Sequence, residues 1–156
     1  MAGTTADTKT TPEAVLRALI ATYPPKLQAL IRSVRSGIRK RVPAANELVY
    51  DYSGSLVLSY TATEHGKDGV LSLAVKPDGV RLYFGGGPKL ADPKKLLLGT
   101  GGARYILVES ASRLAHPDVK ALITAAIARS PVPLPTKGKG ELIDRSAAQK
   151  KRARTK

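Results

Sequence analysis

The chain reads as an α+β domain, a mostly antiparallel sheet of about five strands with helices packed on one face. Three observations predict it. Leu27, Leu30, Ile31, Val34, Ile38 and Val42 recur at spacings of three, one, three, four and four, the period of one helix face. From Leu48 onward the apolar period drops to two, with turn residues between successive runs, as in a meander of strands. Helical patterns lie before and after this block, and such segregation specifies α+β rather than alternating α/β architecture.

Each element has its own local cause. Thr10-Thr11-Pro12-Glu13 opens a helix, with Thr10 as hydroxyl cap, Pro12 in the first turn and Glu13 three residues after the cap. It runs to about Thr22, where Tyr23-Pro24-Pro25 breaks it and starts the longer striped helix that Pro43 ends. Leu48–Tyr52, Ser55–Thr61, Gly69–Lys76 and Val80–Phe84 read as strands. Lys76-Pro77-Asp78-Gly79 has Pro and Gly at the second and fourth positions of a β-turn. Leu71, Leu73, Val75, Val80, Leu82 and Phe84 form the inward set, and Ser72, Lys76, Arg81 and Tyr83 the opposite face. A short helical segment around Pro93–Leu98 follows, then a fifth strand at Tyr105–Glu109. A last helix opens at His116-Pro117-Asp118 and runs to Arg129, with Val119, Leu122, Ile123, Ala126 and Ile127 as its stripe.

A chain of 156 residues can build one real core. Aromatics make up only 4%, so aliphatic side chains must fill that core. The absence of cysteine excludes disulfides, thiolate metal sites and thiol catalysis. The longest apolar runs, such as Ala18–Ala21, are far too short to span a membrane. No apolar core precedes Pro12, so no secretory signal is read there. The expectation is a soluble, cytoplasmic protein. Its net charge of +14 favours polyanionic partners. Pro131, Pro133, Pro135 and Gly138 mark a spacer, and the last twenty residues hold eight basic against two acidic side chains. The expected organisation is a flexible N-terminus over 1–10, a domain over 11–131, and a spacer with a basic disordered tail over 132–156.

The stretch YPPKLQALIRSVRSGIRKRVPAANELVYDY resembles the opening of the YdhG-like family of bacterial proteins, largely of unknown function. A Leu/Ile-striped helix is followed by a P-x-A-x-E element, here Pro43-Ala44-Ala45-Asn46-Glu47, and a strand ending in aromatics, here Tyr50 and Tyr52. VRLYFGGGPKL resembles the family's strand and Pro/Gly turn, and GGARYILVES lies where the family shows a Lys-Gly-Thr-Ile-Arg-Phe-like element. Ser112–Arg129 resembles its closing proline-initiated helix, so the resemblance covers about residues 12–130. Some members are described as frataxin-like iron chaperones, which implies iron as cargo and cluster assembly as the setting. Hard iron ions prefer oxygen ligands, yet residues 14–46 contain seven Lys or Arg and no Asp or Glu. Only Glu47 and Asp51 sit close in sequence as metal-ligand candidates, about 13 Å apart along one strand face.

The candidate sites are therefore mainly cationic. Arg32, Arg35 and Arg39 fall within an arc of about 60° on the long helix, read as well away from the apolar stripe and without interleaved acids. Guanidinium groups so spaced suit a phosphate backbone or an acidic protein partner. Lys150, Lys151, Arg152, Arg154 and Lys156 form a second basic cluster. Gly86, Gly87 and Lys89, and Gly101, Gly102 and Arg104, offer bare amides beside a cation, a possible anion loop, although neither loop fits a P-loop or dinucleotide motif. Tyr83 beside Arg81 on an open sheet could stack bases, but strands favour tyrosine and cross-strand packing is the safer account. His65 and His116 have no legible third metal ligand, and His116 stands where it caps a helix. No nucleophile elbow or carboxylate dyad is present. The leading expectation is a non-enzymatic module that binds polyanions, above all nucleic acid, without a resident cofactor. The alternatives are an iron chaperone or iron–sulfur assembly partner and a generic protein-interaction domain.

Overall fold

The computed structural model describes residues 11–52, 55–77, 79–85, 90–100 and 103–146. Helix α1 spans Pro12–Ile20 and α2 Pro25–Arg41. The cap of α1 is Thr11, whose Oγ1 accepts from the Ala14 amide at 3.1 Å. Thr10, the expected cap, lies outside the described residues. The two consecutive prolines separate the helices because Pro24 takes an extended ψ of 152° and cannot continue α1.

Among the described residues the sheet holds six strands in the order β5-β4-β3-β2-β1-β6. They are β1 Asn46–Tyr52, β2 Ser55–Thr61, β3 Gly69–Lys76, β4 Gly79–Phe84, β5 Arg104–Val108 and β6 Leu142–Asp144. The first five pair antiparallel with their neighbours, and β6 alone lies parallel, beside β1. Register places Val49, Leu58, Leu73, Leu82 and Ile106 in one row across five strands. Each is at most 1% exposed. Against this face pack Leu16 and Ile20 of α1, Ile31, Val34 and Ile38 of α2, and Val119, Leu122, Ile123 and Ala126 of α3, Pro117–Ala128. Aliphatic burial thus does the work that few aromatics could. On the opposite face Ser72 stands across from Tyr83 and Ala74 across from Arg81.

Two elements differ from expectation. Pro93–Leu98 forms no helix. The Asp92 carboxylate accepts from the Leu96 and Leu97 amides at 2.8 and 2.9 Å, and Lys95 adopts a positive φ of 54°. This local side-chain-to-backbone pairing competes with the helix ladder. Leu98 then bridges Tyr105 at the sheet margin.

The other difference is β6, which raises the expected five strands to six and lies beyond the expected domain boundary at 131. The chain returns to β1 through Gly140 N–H to Pro43 O at 2.9 Å, Glu47 N–H to Glu141 O at 2.8 Å and Arg145 N–H to Val49 O at 2.8 Å. Asn46 Oδ1 also accepts from the Glu141 amide at 2.9 Å. The approach at Gly140 is so close that an added Cβ would sit 1.8 Å from the Ala45 carbonyl oxygen. Gly140→Ala should therefore detach this segment at a cost of about 2 kcal/mol. Thermal melts and faster hydrogen exchange at the Glu47 and Arg145 amides would show it, and a melt equal to wild type would refute it.

Candidate polyanion-binding groove

The long helix does not carry its arginines as one free stripe. Arg35 sits at the margin of the apolar face, beside Ile31, Val34 and Ile38, and its side chain is only 16% exposed. Glu47, two positions into β1, is brought beneath it once Pro43 has ended the turn after α2. Arg35 Nε donates to Glu47 Oε2 at 2.9 Å and Nη2 to Oε1 at 2.8 Å, a two-pronged pair. Glu13 of α1 approaches Arg35 Nη2 at 3.5 Å, and Arg39 Nη1 lies 3.6 Å from Glu47 Oε1. The expected separation from the apolar stripe and the expected absence of acids are both corrected. The neutralising carboxylates come from other elements, where helix periodicity cannot reveal them.

Tyr60 of β2 stands opposite Glu47 in register and donates its hydroxyl to Oε2 at 2.5 Å. Burial raises the Tyr60 hydroxyl well above its usual range, and the Glu47 charge and hydrogen bond raise it further, against opposition from Arg35 and Arg39. Burial alone would lower Arg35, but the Glu47 hydrogen bond and charge outweigh it and the net direction is up. Tyr60 thus binds its proton more tightly in the folded than in the unfolded chain. Its contribution is complete below the ordinary tyrosine value, about 10, and is lost as pH rises above it toward the folded-state value. Tyr60→Phe should cost about 2 kcal/mol at neutral pH, the worth of a hydrogen bond to a charged acceptor. It should also lose less stability than wild type between about pH 9 and pH 11. Urea unfolding at both pH values decides this, and parallel alkaline losses would contradict it.

The remaining cations line an open groove of about 600 Å³ along α2. Five of its seven lining residues are Arg32, Arg35, Arg39, Lys40 and Lys139, and the other two are Ser36 and Pro43. Among the described residues no carboxylate lines it. Arg32 is exposed, with Nη2 donating to Gln28 Oε1 at 3.2 Å one helical turn away. Lys139 arrives from the returning segment that Gly140 seats against Ala45, so β6 pairing completes the groove. Lys40 and Lys139 were not among the expected site residues. Lys40 lies only about 80° around the helix from Arg32, a signal available in the sequence. Lys139 depends on the β6 return and carries none.

Across protein-family models, curated proteins and solved structures, nothing matches this chain.

The other candidate residues separate. Arg104 opens β5 and pairs with Asp92 at 3.5 Å, with a further contact to Leu90 O at 3.4 Å, so it belongs to the Asp92 turn. Its expected loop companions Gly86, Gly87, Lys89, Gly101 and Gly102 lie outside the described residues. So do Lys150, Lys151, Arg152, Arg154 and Lys156, and Asp78 of the expected turn. Glu47 has both carboxylate oxygens engaged by Arg35 and Tyr60. Asp51 shares its sheet face four residue pairs further along β1. Among the described residues no group of three or more His, Asp or Glu side chains is placed to hold a metal ion, and no helix is long and apolar enough to cross a membrane. His116 caps α3, its Nδ1 accepting from the Asp118 amide at 3.2 Å. On the sheet's opposite face Tyr83 and Tyr105 pair at 5.0 Å between centroids, with the Arg81 guanidinium 4.7 Å from the Tyr105 ring. These tyrosines pack across strands.

Proposed function

We propose that this domain, YdhG-like in its sequence layout, is a non-enzymatic module that binds polyanions, with nucleic acid as its main ligand. The observation that carries the reading is the groove: among the described residues, five lining cations and no lining carboxylate, with a helix axis along which a phosphate backbone can run. Arg35 is held by Glu47 and shapes the wall. Arg32, Arg39, Lys40 and Lys139 supply the outward charge. Such contacts release condensed counterions and read no bases, so binding is largely sequence-independent and steeply weakened by salt. The basic cluster that begins at Lys150 follows Ser146 by four residues, at most about 14 Å of extended chain. Once the groove is engaged, tail contacts become intramolecular and strengthen binding.

Fluorescence anisotropy of a labelled random duplex against the full chain tests this. The expected result is micromolar or tighter binding at physiological salt, weakened when residues after Ser146 are removed. The cut belongs there, because a cut at 136 would also remove Lys139 and β6. Failure of both duplex and single strand to bind would overturn the nucleic-acid reading and leave an acidic protein as the groove's partner.

A further inference from the structure

A second cavity, of about 300 Å³, opens between α2, α3 and the short 3-10 turn at Ala111–Ala115. Its inner wall is apolar: Ile38 of α2, Leu71 of β3 and Ile123 of α3 are each at most 2% exposed, with Leu114 beside them. The cavity thus reaches down between two helices to the sheet, and water there would find few polar partners. Gly37 lets Leu114 pack close against α2 at the edge of this cavity, since a Cβ at that position would sit 2.8 Å from Leu114 Cδ1.

The cavity's charged residues are all cations. Lys40 and Arg41 come from α2 and Lys120 from α3, and among the described residues no carboxylate lines it. Arg41 Nη2 donates to Thr124 Oγ1 at 2.9 Å, which fixes the guanidinium across the gap between the helices. An apolar pocket with a few convergent charged groups is the usual form of a small-ligand site, and this volume is at the small end of the range.

We propose that this pocket binds a small amphipathic monoanion, a carboxylate on a short unbranched apolar chain, with the chain against Leu71 and Ile123 and the carboxylate at the Lys40, Arg41 and Lys120 rim. This site does not depend on the polyanion reading. Isothermal titration of the full chain with sodium decanoate, and with decyltrimethylammonium as the same chain of opposite charge, tests it. Decanoate should bind saturably at one site, with decyltrimethylammonium at least tenfold weaker. Lys120→Glu, at an exposed position, should weaken decanoate about tenfold. Ala115→Phe, which fills the mouth from an exposed position, should abolish its binding and leave duplex affinity unchanged. Should Ala115→Phe fail to fold, Lys120→Glu decides alone. Absent or unsaturable decanoate binding, equal binding of the two amphiphiles, or indifference to Lys120→Glu would overturn the proposal.

Discussion

Replacing Glu47 with alanine should cost this protein about 3–5 kcal/mol of stability, the scale of breaking a buried ion pair from one side. The loss is large because two partners lose this carboxylate together, Arg35 being left with the half-exposed Glu13 at 3.5 Å. Arg35 keeps a charge that is only 16% exposed, and the hydroxyl of Tyr60, a residue 1% exposed, loses its carboxylate acceptor. Typical domains have about 5–15 kcal/mol in total, so Glu47→Ala should leave a marginal fold. Glu47→Gln retains an acceptor for Tyr60 and should lose less. The double variant Arg35→Met/Glu47→Leu removes both charges at once and should be more stable than Glu47→Ala, since an apolar pair needs no compensation. Urea unfolding of the four proteins reads this directly. A Glu47→Ala loss below about 1 kcal/mol, the worth of an exposed pair, would mean that the pair is open to water.

The second large effect concerns binding. Combined alanine substitution of Arg32, Arg39, Lys40 and Lys139 should reduce the slope of log K against log salt for duplex binding by about 3 to 4, since each lost phosphate contact removes about 0.9. Arg35 is retained in this variant because its substitution would strand Glu47 and confound binding with unfolding. The fold should survive the four changes. Arg32 and Lys139 are exposed, and the Arg39–Glu47 contact of 3.6 Å is the only ion pair given up among those described for these residues. An unchanged slope in a folded variant would remove the groove from the account and leave the charge after Ser146 to carry binding.

These two effects divide along what the sequence made legible. The helix stripe and the strand alternation are local, and the structure keeps them: Ile31, Val34 and Ile38 are buried, and Ser55–Thr61 and Gly69–Lys76 are strands over the expected residues. The arginine arc was legible in the same way. Its meaning was not, because Glu47 meets Arg35 only after the chain has turned at Pro43 and entered the sheet. β6 was illegible for a different reason. Leu142-Ile143-Asp144 is too short to show a period of two, and it sits in a basic, proline-marked stretch. What holds it is register against β1 and the close approach at Gly140, both tertiary. With β6 comes Lys139, so the same blind spot hid one wall of the groove. The Asp92 turn shows local chemistry overruling a helical pattern: one carboxylate holds two amides that a helix would have used otherwise.

The central claim is that α2 and the returning segment together form the polyanion site. The most direct test is amide chemical-shift mapping of isotope-labelled full chain titrated with a short duplex. The account predicts shifts concentrated on residues 32–43 and 137–141, accompanied by residues 150–156. Shifts that spare Arg32, Arg39, Lys40 and Lys139, whether confined to residues after Ser146 or centred on Tyr83 and Tyr105, would contradict it.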